Sequence, residues 1–235
     1  MTRSSEGLSQ MKKYLAEGIG TFALVLVGTG AIVVSESFPG SLAHTDVSFV
    51  FGLIVMIMIY AVGDISGAHL NPAVTVGFWA SRRLSGKQVC PYVISQIVGA
   101  VLASGLIQLW FPSHRTLGAT APAGSIAQAF SVEVALSCFL MFTILGVATG
   151  AKEKGVMAGV AVGASVGLCA LVGGPVTGAS MNPARSLAPA LISGRFEDLW
   201  IYLIAPLVGA LLAVVACRCI RERDCCAPAS HRAAA

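Results

Sequence analysis

The sequence predicts an all-α membrane protein: six transmembrane helices plus two re-entrant half-helices in an inverted repeat. Three observations carry that prediction. Of 235 residues, 56% are hydrophobic and 11% charged, with a mean hydropathy of +0.81, whereas soluble domains carry about a quarter charged residues. Apolar stretches fall at about 12–34, 47–65, 89–110, 128–149, 156–174 and 199–219, each near the ~20 residues a spanning helix needs. The segment Ser66-Gly-Ala-His-Leu-Asn-Pro-Ala73 is echoed, position for position, by Thr177-Gly-Ala-Ser-Met-Asn-Pro-Ala184, which marks an internal repeat.

The first stretch is long, contains Glu17 and is followed by further spans, so it reads as mature structure rather than a signal peptide. Glu17 in the first span and Glu133 in the fourth extend the repeat weakly. Their spacing is slightly longer than that of the two motifs, so one loop differs in length. Each half holds three spans, an odd number, so the second copy enters the membrane inverted and the two repeated loops approach from opposite faces. After each loop, a short helix is expected at about 71–80 and 182–191. Asn71 and Asn182 are good N-cap residues, and Pro72 and Pro183 suit the first helical position, where a missing N–H costs nothing. Ala73 and Ala184 continue each helix. About ten residues at 1.5 Å each give about 15 Å, half the hydrocarbon thickness, so the two helix starts can meet near the midplane. Irregular backbone at that depth is tolerated only when buried in protein or lining a wet cavity, so a cavity is expected.

These elements divide the chain into an N-terminal tail (1–11), a membrane domain (12–219, halves about 12–110 and 128–219) and a C-terminal tail (220–235). Lysines and arginines choose its orientation. Arg3, Lys12, Lys13, Arg82, Arg83, Lys87, Lys152, Lys154, Arg218, Arg221, Arg223 and Arg232 fall on the side of the termini, against Arg115 and Arg195 opposite. Both termini are therefore expected in the cytoplasm, with a plasma or inner membrane as the default location. The net charge of +4 reflects this topology and not nucleic-acid binding. Small residues at Gly99, Ala103, Gly159, Gly163, Gly167, Gly209 and Ala213 suit close helix packing in lipid.

No nucleophile–base constellation or metal-ligand spacing appears, so no enzyme, catalytic residue or cofactor is expected. The cysteines lie mostly inside spans or on the tail, where no disulfide framework is implied. Cys217, Cys219, Cys225 and Cys226 are close enough together to hold a thiophilic ion. The plainer reading makes them the end of the last span and tail residues.

Paired Asn-Pro-Ala motifs in mirrored positions, with Arg185 directly after the second, resemble the major intrinsic proteins, or aquaporins, over about residues 12–219. The resemblance implies passive conduction of small uncharged solutes, with lipid as the surroundings and a homotetramer as the assembly. It implies that Asn71 and Asn182 turn NH2 donors into the pore centre. Both helix N-termini aim positive dipole ends at the same point, which opposes cations and protons. By the same resemblance a filter falls on Phe51, Ala170, Ala179 and Arg185, while Glu17 and Glu133 accept hydrogen bonds from the loop backbones. His69 is expected as a buried brace. Arg185, a charge inside an apolar stretch, is costly unless functional.

The filter lacks the histidine common at position 170 in water-only members, and two alanines widen it. Ser186 after Arg185 departs from the bacterial glycerol-facilitator pattern, where Asp is frequent. The whole set is most similar to the nodulin-like branch and its prokaryotic relatives, which implies glycerol, urea or metalloid acids such as arsenous or boric acid as solutes, with water. The alternatives are a water-selective aquaporin, a largely structural member with a closed pore, and, more remotely, an ion-coupled transporter, which also uses broken helices but needs a titratable group at the midplane.

Overall fold

A computed structural model describes residues 3–148 and 156–220, without the side chains of residues 3–6. The described residues form helices α1 (Arg3–Ser37), α2 (His44–Ser66), α3 (Pro72–Ala80), α4 (Gly86–Trp110), α5 (Ile126–Val147), α6 (Ala158–Thr177), α7 (Pro183–Ser193) and α8 (Leu199–Ile220). The six long helices are each long and apolar enough to cross a membrane. Between them, α3 and α7, of 9 and 11 residues, are the two half-helices.

The two halves pack by the same rules. In the first, α4 lies so close to α1 that a Cβ on Gly99 would run into the Gly18 carbonyl. In the second, α8 meets α5 in the same way, with Gly209 against the carbonyl of Val134. Positions 99 and 209 are both glycine because only a missing side chain lets the backbones approach this closely, the small-residue packing that lipid-embedded helices rely on. The halves join along α2 and α6. There a Cβ on Gly52 would lie 2.7 Å from the Gly163 carbonyl, and one on Gly163 2.6 Å from that of Gly52. Position 163 follows position 52 at the spacing of the two repeated motifs, so each glycine is the other's counterpart at the centre of the pseudo-symmetry.

The early part of α1 and the end of α8 lie at one face. Gln88 Nε2 at the start of α4 donates to Gln10 Oε1 at 2.9 Å, and Arg218 Nη2 near the end of α8 donates to the Ala80 carbonyl at the end of α3 at 2.6 Å. The opposite face gathers the end of α1, the α4–α5 connection and the turn after α7: His114 pairs with Glu36, and Arg195 Nε donates to the Arg115 carbonyl at 3.2 Å.

Candidate pore and filter

Each repeated loop begins where a long helix stops on a left-handed glycine. Gly67 (φ 89°) closes α2 and Gly178 (φ 79°) closes α6, each donating its N–H to the carbonyl four residues back. Beyond them the loops alternate in and out of the left-handed region at the same places, Ala68 and Leu70 (φ 46° and 53°) in one, Ala179 and Met181 (φ 43° and 53°) in the other. Such conformations cost non-glycine residues on the order of 1–3 kcal/mol each and persist only when the surroundings over-determine them.

The surroundings are two buried carboxylates. Glu17 Oε1 accepts from the His69 backbone N–H at 2.9 Å and the Ser66 hydroxyl at 2.7 Å, while Oε2 accepts from the Leu70 N–H at 2.8 Å and from Gln96 Nε2 at 2.7 Å. Glu133 repeats the pattern on the second loop: Oε1 accepts from Ser180 N–H and the Thr177 hydroxyl, Oε2 from Met181 N–H, all at 2.8 Å. Both acids are fully buried. A second pair of clamps comes from buried tyrosines, Tyr92 donating to the Ser66 carbonyl and Tyr202 to that of Thr177, each at 2.9 Å.

At the loop ends the asparagines cap their half-helices. Asn71 Oδ1 accepts from Ala73 N–H at 2.8 Å, and Asn182 Oδ1 from Ala184 and Arg185 N–H at 3.0 and 3.3 Å. Pro72 and Pro183 occupy the first helical positions. The carboxamide nitrogens reach across the pseudo-symmetry axis: Asn71 Nδ2 donates to the Met181 carbonyl at 2.7 Å and Asn182 Nδ2 to the Leu70 carbonyl at 2.9 Å. Each NH2 carries two protons. The cross-loop bond uses one, and both asparagines border the central cavity.

That cavity encloses about 870 Å³ including its mouths and is bordered by both loops, by Leu24, Val55, Val74, Phe78, Leu140 and Ile144, and by Phe51, Ala170, Ala179 and Arg185. The four residues named for the filter thus share one cavity wall. Phe51 has room because a Cβ on Gly28 of α1 would collide with its ring. Arg185, 1% exposed, is held by a 2.7 Å bond from Nη1 to the Gly118 carbonyl and lies with its guanidinium carbon 5.3 Å from the Phe51 ring centre, a cation–π distance. Its Nε has no protein partner among the described residues.

His69 stacks on Phe78 with ring centres 4.5 Å apart and an 18° tilt, and its Nδ1 lies 3.2 Å from Thr75 Oγ1. It also borders the cavity. Cys217 is buried in α8 and Cys219 exposed near its end; Cys225 and Cys226 lie outside the described residues. Among the described residues no group of three or more histidine, cysteine, aspartate or glutamate side chains is placed to hold a metal ion.

Sequence reasoning passes over Tyr92, Tyr202, Gln96 and Gly118. The tyrosines carry a usable signal, because the step from position 92 to position 202 nearly matches the spacing of the two motifs. Gln96 is visible as an amide inside an apolar span. Nothing local marks Gly118.

The whole arrangement has known counterparts. Residues 4–216 match the family model described as "Major intrinsic protein". Nodulin-26 of Glycine max is 43% identical over 215 residues, covering 91% of this chain and 79% of that protein. Aquaporin NIP1-1 of Zea mays is 46% identical over 212 residues, covering 90% and 75%. Among solved structures, the X-ray structure of the aquaglyceroporin from Plasmodium falciparum superposes with a TM-score of 0.77 at 24% identity, over 88% of this chain and 94% of that one, a likeness of fold. With residues 4–216 matched to the family model, this chain belongs to the major intrinsic protein family.

Proposed function

We propose that this protein is a passive pore for glycerol, urea and uncharged metalloid acids such as arsenous or boric acid, with water as a co-permeant and ions and protons excluded. Membrane channels for water and small neutral solutes are what its family and relatives represent; the solute range is the further step. The observation that carries it is the pair of alanines, Ala170 and Ala179, sharing the cavity wall with Phe51 and Arg185. Two methyl groups leave an aperture that a histidine at 170 would fill. In this reading Phe51, Ala170, Ala179 and Arg185 form the selectivity filter. Asn71 and Asn182, capping α3 and α7 within the two Asn-Pro-Ala motifs, offer their remaining N–H groups to the solute's oxygens. The converging N-termini of α3 and α7 raise the energy of any cation at that point. Glu17, Glu133 and His69 hold the loops.

A water-selective pore is the second reading, favoured by the name Aquaporin that the Zea mays relative carries. Stopped-flow light scattering on reconstituted vesicles separates the two, with gradients of water, glycerol and arsenous acid. High solute flux that Ala170→His suppresses while water flux survives supports the open filter; water flux alone assigns the second reading. Further parts of the proposal are a channel domain over about 12–219 flanked by tails 1–11 and 220–235, both termini in the cytoplasm of a plasma or inner membrane, and a homotetramer with one pore per subunit. Native mass spectrometry giving a monomer would remove the last of these.

A further inference from the structure

At the face that gathers the early part of α1 and the end of α8, several elements bring cations around one tryptophan. The half-helix α3 is wedged between α4 and α8, and its last turn carries Trp79, whose ring is exposed on the outer surface. The chain turns directly after it: the Arg82 N–H donates to the Trp79 carbonyl at 2.9 Å, and Arg82 itself lies in the left-handed region at φ 63°. That conformation suits glycine or asparagine better than arginine, and an outlier of this kind points to a function for the side chain kept there. α4 then starts alongside the ring, since a Cβ on Gly86 would lie 3.4 Å from Trp79 Nε1, and Lys87 stands in its first turn. From α8, Arg218 Nη2 reaches the Ala80 carbonyl, next to Trp79 in the chain, at 2.6 Å. Arg82, Lys87 and Arg218 are all exposed. α1 widens the positive field, because the bond between Gln88 and Gln10 brings Lys12 and Lys13 to the same rim.

Among the described side chains the acid at this face is Asp64, in the last turn of α2, and α2 packs mainly against α1 and α6 rather than α4 or α8. The equivalent corner of the second half is built differently. Ala190 stands where the repeat places Trp79, and Arg195 is followed by Glu197 and Asp198. Below the cations both flanking helices turn apolar. Pro91, Ile94 and Val98 follow Lys87 on α4, and Val215 and Leu211 precede Arg218 on α8, at the three- and four-residue steps that share a helix face. Ile94, Val98, Val215 and Leu211 are exposed. Each cation thus heads an apolar strip.

We propose that this corner is a binding site for an anionic phospholipid. The phosphate sits among Arg82, Lys87 and Arg218, the interfacial part of the lipid rests against Trp79, and the acyl chains lie along the strips of α4 and α8. Guanidinium forks suit phosphate oxygens, tryptophan favours the membrane–water boundary, and basic pockets between spanning helices take anionic headgroups. A free phosphate would use the cations and leave the ring and the strips without a role. Binding the folded chain at the meeting point of three helices, the lipid stabilises it by mass action.

The test uses the full chain with Trp110→Phe and Trp200→Phe, which leaves Trp79 as its one tryptophan. It is reconstituted in phosphatidylcholine vesicles holding brominated phosphatidylglycerol or, at the same mole fraction, brominated phosphatidylcholine. Bromine quenches indole fluorescence on contact, so Trp79 reports which lipid stands beside it. Brominated phosphatidylglycerol is expected to quench more strongly, the preference falling roughly fivefold in Arg82→Asn and likewise in Lys87→Gln, the scale of one basic residue near an anionic surface. Asparagine tolerates the left-handed turn, and helical circular dichroism equal to the parent's shows that each variant has folded. Arg115→Gln, which removes the same charge from the opposite face, should leave the preference unchanged. Equal quenching by the two lipids, or a preference that survives both substitutions, overturns the proposal. So does loss of the preference on adding inorganic phosphate at an ionic strength matched with chloride, which would make this a site for free phosphate. A Trp79 that neither lipid quenches overturns it as well, and would put a second copy of the chain over this face.

Discussion

The two re-entrant loops share a backbone and differ in what surrounds it. In both, a glutamate from the first helix of the half gathers two consecutive loop N–H groups, a tyrosine from the third holds the loop's start, and an asparagine caps the half-helix. The differences lie at equivalent side chains. Behind the first loop stand His69, Thr75 and Gln96, an aromatic and amide brace in which Gln96 Nε2 also reaches Thr75 Oγ1 at 2.9 Å. Behind the second stand Ser180, Ser186 and Thr120, three hydroxyls linked at 2.6 and 2.8 Å, and Pro206 occupies the position equivalent to Gln96. On the cavity wall, Val74 of the first half corresponds to Arg185 of the second. Duplication preserved the backbone cradle and left the side chains free to diverge, so the second half places a fixed charge on the cavity wall where the first has a valine.

If the cradles are equivalent, removing either acid should do similar damage, and this is the largest effect expected. Glu17→Leu or Glu133→Leu leaves two buried backbone N–H groups without an acceptor, at about 1–3 kcal/mol each, and a hydroxyl with only the carbonyl four residues back to receive it. Loss of folded protein in detergent, followed by thermal unfolding, should be severe for both and greater for Glu17, which has Gln96 as a fourth donor. A mild phenotype in either would show that its loop is held by other means. Next, Gly99→Ala and Gly209→Ala insert a methyl into backbone contacts of the same design, and each should cost about 1–3 kcal/mol by overpacking. A marked inequality between them in unfolding temperature would break the packing symmetry.

Arg185→Val makes the second wall match the first. It should raise glycerol flux roughly fivefold, the scale of about 1 kcal/mol in the barrier, while weakening exclusion of charge, the first readable by light scattering and the second by a pH-sensitive dye in the same vesicles. The smallest effects belong to Tyr92→Phe and Tyr202→Phe, which each delete one hydrogen bond worth about 1 kcal/mol and should shift thermal unfolding equally.

How far this architecture can be read from the chain depends on the range of the interactions. The half-helices are legible because Asn-Pro carries its capping chemistry within a single helical turn, and α3 and α7 start where that chemistry demands, at Pro72 and Pro183. The spans are legible as hydropathy, but the helices are not: α1 begins at Arg3, well before the apolar stretch at 12, because a helix continues into water through Lys12 and Lys13 while hydropathy reports only the part in lipid. Glu17 and Glu133 stand out as acids among apolar residues, and the family resemblance implies what they hold. The Gly118 carbonyl is out of reach, because its partner Arg185 lies far along the chain, beyond two further spans, and a backbone carbonyl leaves no trace in sequence.

The crossed bonds from Asn71 to Met181 and from Asn182 to Leu70 also carry a timetable. A ribosome adding roughly 5–20 residues per second needs about 5–20 s to travel from position 71 to position 181. Throughout that interval the first loop sits in the nascent bundle with its asparagine amide and the Leu70 carbonyl lacking the groups that will satisfy them. Early helices can insert one by one as they emerge, but the middle of the pore can close only after translation has passed residue 182. The bonds at the centre of the pore are therefore made late, and a chain halted before that residue holds half of a latch.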